Sequence, residues 1–217
     1  MSRILVLPDV HLPFQQKTFL KDLKTVVQKV RPDKIVIIGD LVDSNAISRH
    51  TPNADSEDAT TEFMRARGGI AEINRILGKR PVFYCLGNHE MRLSKVASTV
   101  RIPSMCLKDL KDIFNIPKHW KMGLDFVVDG IYFVHYRSTA GGKAAATYGM
   151  STVMGHMHAR CSIEYSQTPV KTYWQAFTGC YADDNSLAMR YASESARKSV
   201  PAFLCIEDGQ PRIVRII

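Results

Sequence analysis

The stretch Ile4-Leu-Val-Leu-Pro-Asp-Val-His11 and the stretch Ile35-Val-Ile-Ile-Gly-Asp-Leu-Val-Asp43 decide the fold. Each begins with a short aliphatic run, which is typical of a buried strand, and each then turns polar at an aspartate or at Gly-Asp. Between them, apolar residues recur every three or four positions from Lys17 to Val30, which predicts an amphipathic helix. Strand, helix and strand in this order predict a βαβ unit with parallel strands and a right-handed crossover.

The alternation continues through a third strand and a further short helix, a mixed segment follows from Arg101 to Lys121, and the pattern changes after Gly123. Residues 59–77 have helical periodicity with a weak point at Gly68-Gly69, and Pro81–Leu86 is typical of a third strand. After Gly123 the sequence predicts short strands with brief turns at 126–128, 131–134, 152–154, 161–165, 172–177, 202–206 and 212–216. No linker-like stretch separates the halves. We therefore expect an α/β protein with two sheets and a single domain over residues 1–217.

Composition narrows the class of protein. The chain has 217 residues, 45% hydrophobic and 23% charged, which is ordinary for a globular protein and excludes general disorder. An excess of 29 Lys and Arg over 21 Asp and Glu gives a net charge of +8, which favours anionic partners. The five cysteines contain no CxxC pair, which argues against a disulfide framework or a thiolate zinc site. With no signal-like or membrane-spanning apolar stretch, we expect a cytoplasmic protein without a membrane partner.

Polar clusters follow five of the apolar runs. They are Asp9-Val-His11, Gly39-Asp-Leu-Val-Asp43, Gly87-Asn-His-Glu90, His135, and Gly155-His-Met-His158. Because ligands in open α/β sheets gather outside the carboxyl ends of the strands, these clusters are expected to converge. Carboxylate, imidazole and amide groups suit borderline or hard divalent cations, and an aspartate with two oxygens is able to bridge a pair of them. Such a pair can hold a hydroxide between them and promote in-line attack at phosphorus.

Each cluster also has an ordinary structural interpretation. Asp40 and Asn88 are residue types that cap helices, an Asp-x-His pair arises often by chance, and paired histidines occur on many surfaces. The combination of all five at predicted strand ends favours the metal site.

The five-cluster pattern resembles the calcineurin-like metallophosphoesterase family, in its small bacterial and bacteriophage form, over residues 9–158. The resemblance implies a four-layer αββα sandwich of two mixed β-sheets flanked by helices. It implies two divalent metal ions, with Mn²⁺ expected first and Fe²⁺, Zn²⁺ or Ni²⁺ acceptable. The ligands would be Asp9, His11 and His158 for one ion, Asn88, His135 and His156 for the other, and Asp40 for both. His89 would be the acid near the leaving group, and Asp43 would hold its loop.

Two departures from the family pattern bear on the substrate. Asp43-Ser-Asn45 stands where protein phosphatases have Asp-Arg-Gly, which argues against a phosphoprotein substrate, and Tyr136 follows His135 where glycine is common. The stretch from Arg92 to Lys121 has a net charge of +5, which favours an extended polyanion, although a solvated helical face would have the same composition.

We therefore expect a phosphodiesterase or nuclease that acts on nucleic acid or nucleotides, with Arg92, Tyr136 and His50 as candidate substrate contacts. A nucleotide phosphomonoesterase is the alternative. A non-catalytic scaffold or nucleic-acid-binding protein on the same fold is a third possibility. The oligomeric state is left open by the sequence.

Overall fold

The computed structural model describes residues 2–49, 55–136, 144–186, 188–189 and 198–216. The strands within these ranges are β1 (Ile4–Leu7), β2 (Lys34–Ile37), β3 (Val82–Cys85), β4 (Trp120–Gly123), β5 (Asp125–Val128), β6 (Ile131–Val134), β7 (Thr152–Met154), β8 (Cys161–Gln167), β9 (Thr172–Thr178), β10 (Phe203–Glu207) and β11 (Gln210–Val214). The helices are α1 (Phe19–Val30), α2 (Ala59–Leu77), α3 (Arg92–Thr99), α4 (Leu110–Phe114) and α5 (Ala144–Tyr148). None of the helices in the described ranges is long and apolar enough to cross a membrane.

The first sheet has the order β11-β10-β1-β2-β3-β4. Strands β1 to β4 are parallel, with Leu5 opposite Ile35, so the predicted βαβ unit is confirmed. Strand β10 returns from the far end of the chain to pair antiparallel with β1. Strand β4 was not predicted. It is an edge strand in which Trp120 is buried while Lys121 is exposed, so it has no continuous apolar run.

The second sheet has the order β5-β6-β7-β9-β8, with β6, β7 and β9 parallel and antiparallel strands at both edges. Alternate residues of β1 explain the layering. Ile4 and Val6 pack against Phe133 and Val153 of the second sheet, whereas Leu5 and Leu7 belong to the cluster that includes α1 and α2. Helix α5 packs on the outer face of the second sheet through Ala144. The expected four-layer αββα sandwich is confirmed.

Helix α2 runs unbroken through Gly68 and Gly69, the pair that was predicted to be its weak point. A Cβ atom at Gly69 would lie 2.6 Å from Cδ2 of Leu12. The glycine therefore allows the buried loop after β1 to approach the helix closely. This packing compensates for the low helix propensity of glycine.

The buried carboxylate of Glu90 ties together the loops that follow β2 and β3. Its Oε2 accepts hydrogen bonds from the backbone N–H groups of Asp40 (2.9 Å) and Gly87 (2.7 Å). Its Oε1 accepts from the N–H of Val42 (3.2 Å) and the hydroxyl of Tyr84 (2.7 Å). Both carboxylate oxygens therefore have two donors each, and two of the polar clusters are held in a fixed relation.

We predict that Glu90→Gln lowers the free energy of unfolding of the metal-free protein by about 1–3 kcal/mol, since the new amide N–H₂ would face two donors and leave them unsatisfied. Chemical denaturation measures this difference. The matched control is Glu72→Gln, at a half-exposed glutamate that pairs with Arg75 on the surface of α2, and it should change stability by less than about 0.5 kcal/mol. Equal stability of Glu90→Gln and the parent would contradict the cross-linking role.

Candidate metal centre

The five polar clusters meet at one edge of the two sheets, where they form overlapping groups of possible ligands. One group contains Asp9, His11, Asp40 and His158, and another contains Asp40, His135 and His156, with the ligand atoms of each group within 4.8 Å of one another. Asp40 is the shared member. The structure thus brings together the seven predicted ligands, because Asn88 also contacts His135 and His156.

The ring of His11 is oriented by the carboxylate of Asp43. Its Nδ1 lies 2.8 Å from Oδ2 of Asp43, and both side chains are buried. Burial alone would raise the pKa of Asp43, but hydrogen bonds from His11 and His89 lower it below its usual range, so Asp43 is a carboxylate that accepts the Nδ1 proton. The lone pair of His11 is then on Nε2, which faces Nε2 of His158 at 3.1 Å. This is the carboxylate–histidine arrangement common behind metal ligands.

The second group is oriented by a backbone carbonyl. Nδ1 of His135 lies 3.1 Å from the carbonyl oxygen of Ile38, to which it donates. With Nδ1 committed to this carbonyl, Nε2 is the nitrogen that faces the site, and it lies 3.1 Å from both Oδ2 of Asp40 and Oδ1 of Asn88. Nδ1 of His156 approaches the same Asn88 oxygen at 2.9 Å. Two imidazole nitrogens, an amide oxygen and a carboxylate oxygen thus point to one volume.

Two buried carboxylate oxygens face the ligand groups: Oδ1 of Asp9 has no hydrogen-bond donor among the described residues, and Oδ2 of Asp40 lies 3.1 Å from Nε2 of His135. The other oxygen of each side chain accepts from a backbone N–H, of His156 in the case of Asp9 (2.7 Å) and of His89 in the case of Asp40 (2.9 Å). Burial raises the pKa of Asp9 to about 7, despite the charge of His135. Unsatisfied buried carboxylates are costly, and divalent cations would offset that cost. The donor set therefore fits two cations.

Several residues of the site have a left-handed backbone. The φ angle is +58° at His11, +45° at Asp40 and +69° at His156, a region that residues other than glycine seldom adopt. Such strained positions cluster at functional sites, where the surrounding structure holds them. The strain here falls on three of the predicted ligands.

His89 lies beside the ligand groups and is held from two directions. Its Nδ1 donates to the carbonyl oxygen of Asp43 at 2.8 Å, and its Nε2 lies 3.1 Å from Nη2 of Arg92 and 3.7 Å from Oδ2 of Asp40. Burial acts to lower the pKa of His89, but the charges of Asp40 and Asp43 outweigh burial and raise it.

The predicted substrate contacts have different surroundings. Arg92 donates to the carbonyl and to Oδ1 of Asp43, so much of its guanidinium is engaged within the protein. Tyr136 is 45% exposed, and its ring centroid lies 4.5 Å from that of His156. His50 lies outside the described residues.

Sequence reasoning missed two residues of the centre. Cys180 is buried, and its Sγ forms a further candidate group with His11 and His158. It comes shortly after β9, and this strand-end position was the signal that could have identified it. Glu90 stood within a quoted motif, but its cross-linking contacts depend on a fold that the motif alone does not specify.

Comparison with known proteins finds a family match, distant curated relatives and solved structures of similar fold. Residues 2–171 match the family model of the calcineurin-like phosphoesterases. Two curated relatives are the Gene 54 proteins of Mycobacterium phages D29 and L5, which are 24% and 23% identical over 183 and 176 residues, or 72% of this chain and 69% of each relative. Similar solved structures include the phosphoesterase YfcE from E. coli, with 10% identity, a TM-score of 0.44 and coverage of 95% of this chain and 88% of that chain. Another is the Pseudomonas putida nuclease MPE, with 12% identity, a TM-score of 0.42 and coverage of 97% and 87%.

We predict that Asp40→Asn weakens the binding of both cations together, by about tenfold or more each, because the shared carboxylate loses its charge next to both. Metal analysis after equilibration with limiting Mn²⁺ measures occupancy. Asp129→Asn is the matched control, since Asp129 pairs with Lys34 at the surface, and it should retain the parental metal content. Loss of one ion with the other bound at parental affinity would assign Asp40 to a single site.

Proposed function

The chain belongs to the calcineurin-like phosphoesterase family, and from this premise we propose that it is a dinuclear metal-dependent phosphodiesterase that acts on nucleic acid or nucleotides. The observation that carries the proposal is the pair of ligand groups that share Asp40. A shared carboxylate between two sets of histidines is the arrangement needed to hold two cations close together.

In this proposal the chain provides two adjoining sets of ligands. Asp9, His11 and His158 would hold one cation, Asn88, His135 and His156 the other, and Asp40 both. When bound, divalent cations act as Lewis acids on phosphoryl oxygens and lower the pKa of an attacking water. Mn²⁺ is proposed first, and the mixed oxygen and imidazole donors also suit Fe²⁺, Zn²⁺ or Ni²⁺. Asp43 would keep the ring of His11 in the orientation that leaves Nε2 free for a ligand.

His89 is the proposed general acid. Its Nδ1 is committed to the carbonyl of Asp43, so Nε2 is the atom that would take up a proton and pass it to the departing oxygen. Arg92 donates to this Nε2 in the present arrangement. Protonation of His89 would therefore release that contact and free part of the guanidinium for the phosphate.

A basic cleft beside Asn88 supports an anionic substrate larger than one phosphate. The cleft has a volume of about 250 Å³, and its charged lining residues are Arg49, Arg92 and Lys95. Cations that flank a phosphoryl-transfer site are expected to bind neighbouring phosphates of a nucleic acid. Not every residue of the basic stretch contributes, since Lys121 lies over the ring of Phe83 at 5.4 Å.

The small volume of this cleft favours a nucleotide phosphomonoesterase as the second candidate, because the cleft has room for a few phosphate groups rather than a long strand. The buried Oδ1 of Asp9, which has no hydrogen-bond donor among the described residues, argues against a metal-free scaffold.

The proposal is tested with a panel of substrates on the Mn²⁺-loaded protein: a nitrophenyl diester and monoester, an oligonucleotide and a nucleoside monophosphate. We expect cleavage of both diesters with a higher kcat/KM than either monoester. A preference for monoesters would support the second candidate, and binding of two metals without any hydrolysis would support the scaffold.

The variant Lys95→Gln tests whether the basic cleft binds phosphates of the substrate. Each lost phosphate contact should make the log–log salt dependence of oligonucleotide binding shallower, by about 0.7 for a single strand. Lys24→Gln, at an exposed lysine of α1, is the matched control and should leave that slope unchanged. Identical slopes for the two variants would remove the basic cleft from the substrate path.

We predict that His89→Asn retains both metals and loses about 10²–10⁴-fold in rate on a substrate with a sugar alkoxide leaving group. It should lose much less on a nitrophenyl ester, whose leaving group scarcely needs a proton. Rates on both substrates and metal content are measured on the same preparation. Equal losses on both leaving groups would contradict the acid role, and loss of a metal would make His89 a ligand.

A further inference from the structure

A second cleft lies on the other side of Asn88 and has the opposite character. Its volume is about 240 Å³, and its outer walls are formed by Leu86, Met91, Leu124 and Tyr136. No Asp, Glu, Lys or Arg lines it within the described residues. Asn88 lines this cleft as well as the basic one, so the candidate metal centre lies between a charged groove and an apolar groove.

Two of the apolar wall residues lie outside the hydrophobic core of the described residues. Leu124 and Tyr136 are 55% and 45% exposed. Leu124 occupies the turn between β4 and β5, where a polar residue would be the usual choice. Among the described residues, the buried hydrophobic clusters and the side chains packed on them include neither Leu124 nor Tyr136. Large apolar side chains that stay in water beside a reaction centre indicate a binding surface.

Size and chemistry restrict what this apolar cleft can bind. Its volume is below the ~300–1,000 Å³ of clefts that hold drug-sized ligands, so it suits one ring system rather than several. Among the described residues, the walls of this cleft offer no charged partner that would compensate a phosphate for its lost hydration. A flat, weakly polar ring would gain contact with the leucine side chains and with the face of an aromatic residue.

The floor of the cleft connects it to the chemistry. His135 and His156, two of the candidate ligands, line it together with Asn88. The ring of Tyr136 packs at 32° against that of His156. A ring bound against Tyr136 would thus lie next to a phosphate held at the metal centre. This continuity favours part of the substrate over a separate protein partner as the occupant.

We propose that the apolar cleft is a nucleobase subsite, in which Tyr136 and Leu124 bind the base of one nucleoside next to the scissile phosphate. The phosphates beyond it would follow the basic cleft. This inference rests on the proposed function, because it requires a phosphate at the metal centre. It goes further because it names the group that the cleft binds, a nucleobase. The protein should therefore bind a nucleoside phosphate more tightly than a sugar phosphate.

The test compares two phosphonates, whose carbon–phosphorus bond resists hydrolysis. One is the analogue of deoxythymidine monophosphate, and the other is the analogue of 1,2-dideoxyribose 5-phosphate, in which a hydrogen atom replaces the base. Calorimetry with the Mn²⁺-loaded protein gives both dissociation constants. We expect the nucleoside phosphonate to bind about tenfold more tightly, as one stacked base provides.

Variants of the cleft residues test whether this cleft is the source of the preference for the nucleoside phosphonate. Tyr136→Ala should reduce the ratio of the two dissociation constants to near one, Tyr136→Phe should preserve it, and Leu124→Ser should lower it in part. Val127→Ser is the matched control, at an apolar residue of β5 that is 59% exposed and outside the cleft lining. Equal affinity of the parent for both phosphonates, or a ratio unchanged by Tyr136→Ala, would overturn the subsite and leave the proposed function standing. Failure of both phosphonates to bind would instead refute the phosphate site, and with it the subsite.

Discussion

Two carboxylates, Asp9 and Asp40, are buried side by side, and the structure of the site follows from accommodating them. One oxygen of each carboxylate accepts a hydrogen bond from a backbone N–H. Of the other two oxygens, Oδ1 of Asp9 has no donor among the described residues, and Oδ2 of Asp40 faces Nε2 of His135. The two carboxylates fit because two neighbouring residues are glycines, which have no side chain. A Cβ atom at Gly87 would lie 2.1 Å from Oδ1 of Asp40, and one at Gly155 would lie 2.3 Å from Oδ1 of Asp9. The glycines of the Gly-Asn and Gly-His motifs are therefore required by the carboxylates of other motifs.

Other polar groups behind the ligands hold them in place. Asp43 orients His11, the carbonyl of Ile38 orients His135, and Glu90 fixes the backbone around Asp40. These partners follow β2 and β3 of the first sheet, whereas the histidines that they orient follow β1 and β6, so both sheets contribute to the site. Because each imidazole uses one nitrogen for its partner, the other is left to face the candidate cations.

Apolar runs and helical periodicity in the sequence predicted the strands and helices whose formation depends mainly on local sequence. The β1-α1-β2 unit was predicted because each of its elements has a clear period or apolar run. Strand β4 was missed because its pairing with β3, at Trp120 opposite Val82, is what makes it a strand. At the site, the predicted ligands converge because parallel strands bring their carboxyl ends together. The cross-linking role of Glu90 and the apolar wall at Leu124 depend on tertiary packing, so they could not be predicted from sequence motifs. The ligand roles themselves remain predictions.

The central claim is that two cations share Asp40. Electron paramagnetic resonance of the protein titrated with Mn²⁺ tests it most directly, because ions that share a bridging carboxylate are close enough for magnetic coupling. The account predicts uptake of two Mn²⁺ per chain and, at full loading, a spectrum of exchange-coupled ions in place of the hyperfine pattern of isolated Mn²⁺. Saturation at one ion per chain, or two ions that give the isolated pattern, would contradict the account.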